Sequence, residues 1–215
     1  MWQQAVSRNA IILGLFAVTT AALLALTNTF TLDRIQCNRQ LALENSLTDV
    51  FPPSLSDDNL SAEYALVSDP LLGPGEHRVY RAWQAGTPTG VVLDIIAPDG
   101  YGGAIDLLVG VTHQGEITGV RVVPPHRETP GLGDKIELRK SDWILSFNGR
   151  SLQNTADPAW AVKTDGGTFD AFTGATITPR AVVGAVHRAL HYYQENHESL
   201  FAAPAATQMT ESCDG

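Results

Sequence analysis

Residues 170–180 read DAFTGATITPR, and this stretch joins a turn of small and hydroxyl residues to the start of a helix. Thr178 followed by Pro179 predicts the helix start, because a threonine oxygen caps free backbone N–H groups and proline at the first helical position loses no hydrogen bond. A phosphate held on this turn would face the positive end of the helix dipole. We refer to residues 170–178 as the hydroxyl turn.

The helix after the hydroxyl turn is predicted to span residues 179 to about 199. Its apolar residues recur at spacings of three and four, as on a helix that buries one face; they are Val182, Val183, Val186, Leu190 and Tyr193. Upstream, segments rich in Val, Ile, Leu or Tyr and bounded by Gly or Pro predict strands at residues 78–84, 90–97, 104–112 and 117–123, with a hairpin turn at residues 113–116.

The remaining segments carry weaker signals. Residues 135–147 predict one or two short helices, residues 159–164 predict a further strand, and residues 54–75 predict a loop with at most a short helix. The predicted fold class is α+β, with one mainly antiparallel sheet packed by helices in a single domain at residues 76–200. A flexible tail is expected at residues 201–215.

An uncharged segment covers residues 9–32, and residues 10–26 (AIILGLFAVTTAALLAL) are apolar enough to cross a hydrocarbon layer that needs roughly 20 residues. A cleaved signal peptide also begins with a basic residue and an apolar run, but this stretch is longer than a typical signal core and no small-x-small cleavage site follows it. The prediction is a single transmembrane helix at residues 9–32 after a cytoplasmic tail at residues 1–8. A stalk helix and linker at residues 33–75 would follow, with the helix ended by Pro52 and Pro53.

The charge of the chain excludes one class of partner. Arg8 is the only charged residue before Leu32, so 13 basic and 23 acidic residues give the rest of the chain a net charge of −10. Such a domain neither binds nucleic acid well nor is attracted to anionic lipid. Its expected partners are proteins.

Cysteine and histidine usage argues against a metal centre. Cys37 and Cys213 are too few for an iron–sulfur cluster, and they could form a disulfide or, as the sequence favours, remain unrelated thiols. His187 and His191 have the spacing of a metal pair, but no third ligand is evident, so no metal site is predicted. Without a Gly-x-Gly-x-x-Gly fingerprint or a phosphate-loop Lys, binding of NAD or ATP is not expected. Any redox centre would therefore be a non-metal cofactor.

Two motifs carry a family resemblance. The hydroxyl turn matches Asp-x-x-Ser/Thr-Gly-Ala-Thr, and residues 126–133, HRETPGLG, match the loop His-x-Glu-Thr-Pro-Gly-Leu-Gly; we refer to the latter as the upstream loop. Both motifs resemble those of the FMN-binding domain family, in which the last Thr of the turn carries FMN through a phosphoester made by a flavin transferase. With its length and single apolar segment, the chain is similar to the G subunits of Rnf-type complexes, which exchange electrons between ferredoxin and NAD while moving ions across a membrane.

The resemblance implies a set of cofactor contacts and no catalytic residue. Thr176 would carry covalent FMN, and the other expected contacts are Asp170, Thr173, Gly174, Ala175 and Thr178 on the hydroxyl turn and Glu128, Thr129, Gly131 and Leu132 on the upstream loop. The upstream loop would lie against the isoalloxazine ring, although Glu128 could equally serve as a cap or pair with an Arg. Residues 100–103 (GYGG), the glycine loop, resemble a family loop in outline and also fit a plain strand connection.

The resemblance also implies an electron-carrier subunit in the inner membrane, with its domain on the periplasmic side. The membrane-flanking charges of Arg8, Asp33, Arg34 and Arg39 are nearly balanced, so this orientation rests on the short N-terminal tail and on the family. Expected partners are the other membrane and redox subunits, a flavin transferase, and the bilayer through residues 9–32. Alternatives are the C subunit of a sodium-translocating NADH:quinone reductase, which is usually longer, and a non-redox anchoring or assembly module, against which the intact Thr176 argues.

Overall fold

The computed structural model describes residues 2–57, 60, 63–202 and 206–207, with the side chains of residues 8–32, 34–35, 41–57, 60 and 63–202. The side chains of Cys37 and Cys213, and residues 203–205 and 208–215 of the predicted tail, lie outside this part. The described residues divide into two compact units, one ending at Ala42 and the other beginning at Leu43.

The first unit contains most of helix α1, which spans Trp2–Val50. Within it, Arg8–Leu32 is long and apolar enough to cross a membrane, with a mean hydropathy of 2.3, and none of it is buried by protein. Thr19, Thr20 and Thr27 donate their hydroxyl hydrogens to the carbonyl oxygens four residues earlier at 2.8 Å. These polar groups are therefore satisfied inside the helix, as a hydrocarbon environment requires.

The second unit is built on one antiparallel sheet. Its strands are β1 Glu63–Val67, β2 His77–Gln84, β3 Thr87–Ala97, β4 Ile105–Thr112, β5 Ile117–Val122 and β6 Ala206–Thr207. Their order in the sheet is β5-β4-β3-β2-β1-β6. Strands β2 to β5 confirm the four predicted strands, and the turn between β4 and β5 confirms the predicted hairpin.

Both faces of the sheet are covered, because alternate residues of its central strands are apolar on opposite sides. On one face, residues such as Leu93 and Val109 pack against helix α2 (Ile177–Ala202), including Val182, Val186 and Leu190, as predicted for that helix. On the other face, Val92, Tyr80 and Leu108 join Leu47, Val50 and Phe51. Helix α1 thus ends on the sheet, and the Thr118 hydroxyl donates to the Val50 carbonyl oxygen at 2.7 Å.

Two predictions from sequence are wrong. Residues 63–67 form β1, although a loop is expected at residues 54–75; the pairing with β2, rather than local propensity, makes this five-residue segment a strand. Residues 159–164 are not a strand: 3₁₀ turns cover Asp157–Ala159 and Lys163–Asp165, and only Val162 forms a bridge, to Phe169. The short helices expected in residues 135–147 are confirmed as 3₁₀ turns at Gly133–Ile136 and Asp142–Phe147.

Candidate functional site

The hydroxyl turn ends in the N-cap of α2. Ala175 N donates to the Phe172 carbonyl oxygen at 3.0 Å, and Gly174 takes a φ of +80°, which favours glycine. Arg180 N donates to the Thr176 carbonyl oxygen at 3.3 Å, so Thr176 occupies the N-cap position of the helix. The predicted cap, Thr178, is wrong, because Thr178 lies inside the first turn and its buried hydroxyl is used elsewhere.

Glu128 joins three separate segments. The residue is only 5% exposed; its Oε2 accepts a short hydrogen bond from the Thr178 hydroxyl, and its Oε1 accepts from Gly102 N at 2.9 Å. Charge-assisted bonds of this kind are stronger than neutral ones, and they offset the cost of burying a carboxylate. The glycine loop, the upstream loop and the start of α2 are therefore held together by one side chain.

Two glycines allow this approach. A Cβ on Gly133 would lie 2.7 Å from Glu128 Oε2 and 3.0 Å from Thr178 Oγ1. A Cβ on Gly102 would lie 2.0 Å from the Arg127 carbonyl oxygen. Close packing thus requires glycine at position 102 of the glycine loop and at position 133 of the upstream loop.

The upstream loop is a rigid turn stabilised by its own backbone. The Thr129 carbonyl oxygen accepts from the N–H groups of Leu132, Gly133 and Asp134 at 3.1, 2.9 and 3.3 Å. The buried Asp134 carboxylate accepts from Gly131 N at 2.7 Å. Gly131 itself has a φ of +78° and would place a Cβ in open space, so its conformation, rather than a close neighbour, requires glycine.

His126 anchors the beginning of this loop. Its Nε2 contacts Glu137 Oε1 at 2.5 Å, and Arg139 forms a short ion pair with the other Glu137 oxygen. The hydrogen bond from Arg139, with that from His126, holds the pKa of Glu137 below its ordinary range. The carboxylate therefore remains ionised and fixes the imidazole in place.

Thr176 is half-exposed, and its hydroxyl makes no hydrogen bond to any described residue. Thr173 and Gly174 are exposed, and Ala175 is half-exposed. Asp170 is exposed as well, with its carboxylate 2.5 Å from Lys163 Nζ, while Trp143 Nε1 donates to its carbonyl oxygen at 2.8 Å. A hydroxyl without a hydrogen-bond partner among the described residues therefore lies on a partly exposed residue at the positive end of a 26-residue helix.

Exposed apolar side chains lie on each of the three joined segments. Leu132 is 39% exposed on the upstream loop, Ile177 45% exposed at the start of α2, and Tyr101 67% exposed on the glycine loop. The Cβ position of Gly174 lies 3.8 Å from Leu132 Cδ2, which places the upstream loop beside the hydroxyl turn. The arrangement combines a nucleophilic hydroxyl, an anion-binding helix end and apolar surface for a planar group.

Sequence reasoning brought the hydroxyl turn and the upstream loop together but missed several contributors. It did not assign a site role to Ile177 or Tyr101, and it did not foresee that Gly102 supplies a backbone donor. The only indication of a role for Ile177 in the sequence is that this apolar residue lies between two threonines. No sequence spacing indicates the contact between Gly102 and Glu128, because 26 residues separate them.

The His187 and His191 pair lies elsewhere on α2, with Nε2 atoms 3.1 Å apart. The sequence shows no third candidate ligand, whereas in the structure Asp157 Oδ1 lies 3.3 Å from His187 Nε2. Asp157 precedes His187 by 30 residues, so the spacing in the sequence does not indicate that the two side chains lie close together.

Both the N-terminal segment and the domain of this chain are similar in sequence to known proteins. Residues 100–191 match the FMN-binding domain family, and residues 1–50 match the RnfG N-terminal region. The G subunit of the ion-translocating oxidoreductase complex of Shewanella loihica is 47% identical over 205 residues, 94% of this chain and 96% of that protein. The G subunits from Pseudomonas aeruginosa strain UCBPP-PA14 and Vibrio cholerae strain M66-2 are 51% and 44% identical over 201 residues, each covering 93% of this chain and 94% and 96% of their own lengths. The chain therefore belongs to the family of G subunits of Rnf-type ion-translocating oxidoreductase complexes and contains an FMN-binding domain.

Proposed function

We propose that the chain is a membrane-anchored flavoprotein subunit that relays electrons within an ion-translocating ferredoxin:NAD oxidoreductase complex, through FMN linked by a phosphoester to Thr176 Oγ1. One observation carries the proposal. Thr176, at the N-cap position of α2, is half-buried and its hydroxyl makes no hydrogen bond within the described residues, while Glu128 holds the upstream loop and the glycine loop beside the start of α2.

Attachment requires an activated donor, which we identify by chemical class as a flavin nucleotide containing a phosphoanhydride. The Thr176 oxygen loses its proton and bonds to phosphorus as the phosphoanhydride bond breaks, and the second phosphate leaves with its nucleoside. A flavin transferase supplies the base and positions the donor. The small Gly174 and Ala175 leave the hydroxyl open to that enzyme.

The residues around Thr176 fit the phosphate and the ring. The first N–H groups of α2 have no partners within the helix, so they and the helix dipole favour a phosphate at Thr176. Leu132, Ile177 and Tyr101 supply exposed apolar surface for the isoalloxazine. Because both Glu128 oxygens are engaged with protein donors, we assign this carboxylate to holding the loops and not to the ring.

The bound flavin supplies one- and two-electron chemistry, and the protein's part is to hold and orient it. The other subunits of the complex are the proposed electron donor and acceptor, so no independent turnover is expected. Residues 9–32 anchor the chain in the inner membrane, with the domain on the periplasmic side. A covalent bond there prevents loss of a cofactor that the compartment does not replenish.

Replacement of Thr176 tests this function directly. Co-expressed with a flavin transferase, the unmodified chain and Thr164→Ala should retain flavin fluorescence in a denaturing gel, whereas Thr176→Ala should lose it and remain folded by circular dichroism. Thr164 is the matched control, because it is an exposed threonine outside the hydroxyl turn. Equal fluorescence from Thr176→Ala, or no bound flavin in any version, would contradict the proposal and favour a non-redox module.

A further inference from the structure

Three side chains converge at a place that the flavin site does not use. His187 Nε2 lies 3.1 Å from His191 Nε2 and 3.3 Å from Asp157 Oδ1, and His191 Nε2 lies 3.9 Å from the same oxygen. His187 and His191 occupy successive turns of α2, and Asp157 begins the 3₁₀ turn Asp157–Ala159. Each side chain therefore directs a lone-pair-bearing atom to a common point.

Hydrogen bonds alone satisfy this arrangement poorly. Each neutral imidazole has one N–H and one acceptor nitrogen, and a carboxylate only accepts. If His191 Nε2 donates to His187 Nε2, the one lone pair of His187 Nε2 accepts that hydrogen, and no proton lies between His187 Nε2 and the Asp157 oxygen. If His187 Nε2 donates, its single hydrogen must be shared by both neighbours. A cation at the common point would satisfy all three atoms.

The distances also fit a metal chelate. Two metal–nitrogen bonds of about 2.1 Å at a tetrahedral angle place the nitrogens about 3.4 Å apart, within a few tenths of an ångström of the observed 3.1 Å. Asp157 is mostly exposed, so its carboxylate is free to rotate by the roughly half an ångström needed to come within tetrahedral ligand spacing of His191. We propose that His187, His191 and Asp157 form a binding site for a divalent transition cation such as Zn²⁺ or Cu²⁺.

The residues around His187 favour the orientation and the neutral form that this imidazole needs to bind a metal. The Trp160 indole stacks on the His187 ring, with centroids 5.2 Å apart and an interplanar angle of 6°. Burial, followed by the charges of His191 and Arg188, lowers the pKa of His187, although Asp157 opposes the shift. The neutral imidazole is the ligand form, and imidazole with carboxylate suits Zn²⁺, Cu²⁺ and Ni²⁺ better than Mg²⁺ or Ca²⁺, which prefer oxygen ligands.

The site is separate from the flavin. His187 lies eleven residues after Thr176 on α2, which corresponds to about 16 Å along the helix axis. A bound cation would join the loop at Asp157 to the middle of α2 and would leave coordination positions open at the surface. It would therefore act on the stability of this face of the domain, without contacting the cofactor.

Calorimetric titration with Zn²⁺ tests the proposal on the full chain in detergent, purified without a histidine tag and with Cys37→Ser and Cys213→Ser so that thiols do not compete. One Zn²⁺ should bind per chain and raise the thermal unfolding midpoint. Because even outer-shell partners of metal sites contribute about 10–100-fold in affinity, His187→Gln and His191→Gln should each weaken binding at least tenfold. His197→Gln is the matched control on the same helix and should bind normally.

Trp160 provides a second readout that does not depend on folding of the His187 variant. Cu²⁺ in the same thiol-free background should quench part of the tryptophan fluorescence, and Trp160→Phe should remove that quenched part. His191→Gln should restore the fluorescence while the far-ultraviolet circular dichroism stays unchanged. Absence of stoichiometric binding to the parent chain, or equal Zn²⁺ affinity in His191→Gln and His197→Gln, would overturn the proposal.

Discussion

At the residue scale, the site depends on a buried carboxylate. Glu128 is 5% exposed and its two oxygens accept from donors 26 residues earlier and 50 residues later in the chain. A buried charge is tolerated only when it is hydrogen-bonded, so the bonds to Gly102 and Thr178 are conditions for the fold as well as features of the site. The sequence motif identified Glu128, but only the structure identifies its partners.

Replacing Glu128 tests this dual role. Glu128→Ala leaves the Gly102 N–H and the fully buried Thr178 hydroxyl without their acceptor, so the free energy of unfolding should fall by about 1–3 kcal/mol in urea titrations. Glu128→Gln keeps one acceptor oxygen and should cost less. Glu76→Ala, at an exposed glutamate, is the control and should be within about 0.5 kcal/mol of the parent. Equal stability of Glu128→Ala and Glu76→Ala would show that the carboxylate does not hold the loops.

At the element scale, the sequence predicts the elements that have a clear local pattern, but it does not predict those that depend on pairing with another segment. Strands β2 to β5 follow from segments rich in Val, Ile, Leu or Tyr between Gly or Pro, and the apolar face of α2 follows from its period-3.6 pattern. Strand β1 was missed because its five residues become a strand only by pairing with β2. Residues 159–164 have strand-like composition, yet Pro158 on one side and Gly166, with a φ of +89°, on the other confine them to turns.

Two glycines of the upstream loop should respond differently to the same substitution. Gly133→Ala places a methyl group 2.7 Å from Glu128 Oε2 and 3.0 Å from Thr178 Oγ1, so the loop must move away from α2, and both stability and the fraction of chains carrying flavin should fall. Gly131→Ala meets no neighbour and costs only the strain of a positive φ, about 1–2 kcal/mol, so flavin occupancy should be retained. The absorbance ratio of flavin to protein measures occupancy. Similar occupancy in the two variants would mean that the fit of the loop against α2 is unimportant for attachment.

At the scale of the whole molecule, a sheet covered on both faces is combined with a membrane-length helix in the same chain. The segment of α1 from Leu43 packs on one face of the sheet, and α2 covers the other. Residues 8–32 have the length and hydropathy of a membrane span, but their flanking charges are nearly balanced. The flanking charges therefore do not determine which way the chain crosses the membrane, because the positive-inside rule needs a charge difference between the two sides.

Reporter fusions test the proposed orientation. Alkaline phosphatase is active only after export and β-galactosidase only in the cytoplasm, so after residues 60 and 202 phosphatase fusions should be active and galactosidase fusions inactive. Protease added to spheroplasts should digest the domain of the unfused chain. Active galactosidase fusions at both positions, together with protection of the domain, would place the domain in the cytoplasm.

Peptide mapping of the native protein tests the central claim most directly. Trypsin cleavage after Lys163 and Arg180 releases residues 164–180, which contain five threonines: Thr164, Thr168, Thr173, Thr176 and Thr178. The account predicts that this peptide carries the mass of one FMN less one water, and that fragmentation assigns the added mass to Thr176. An unmodified peptide from flavin-containing protein, or assignment of the mass to any of the other four threonines, would contradict it.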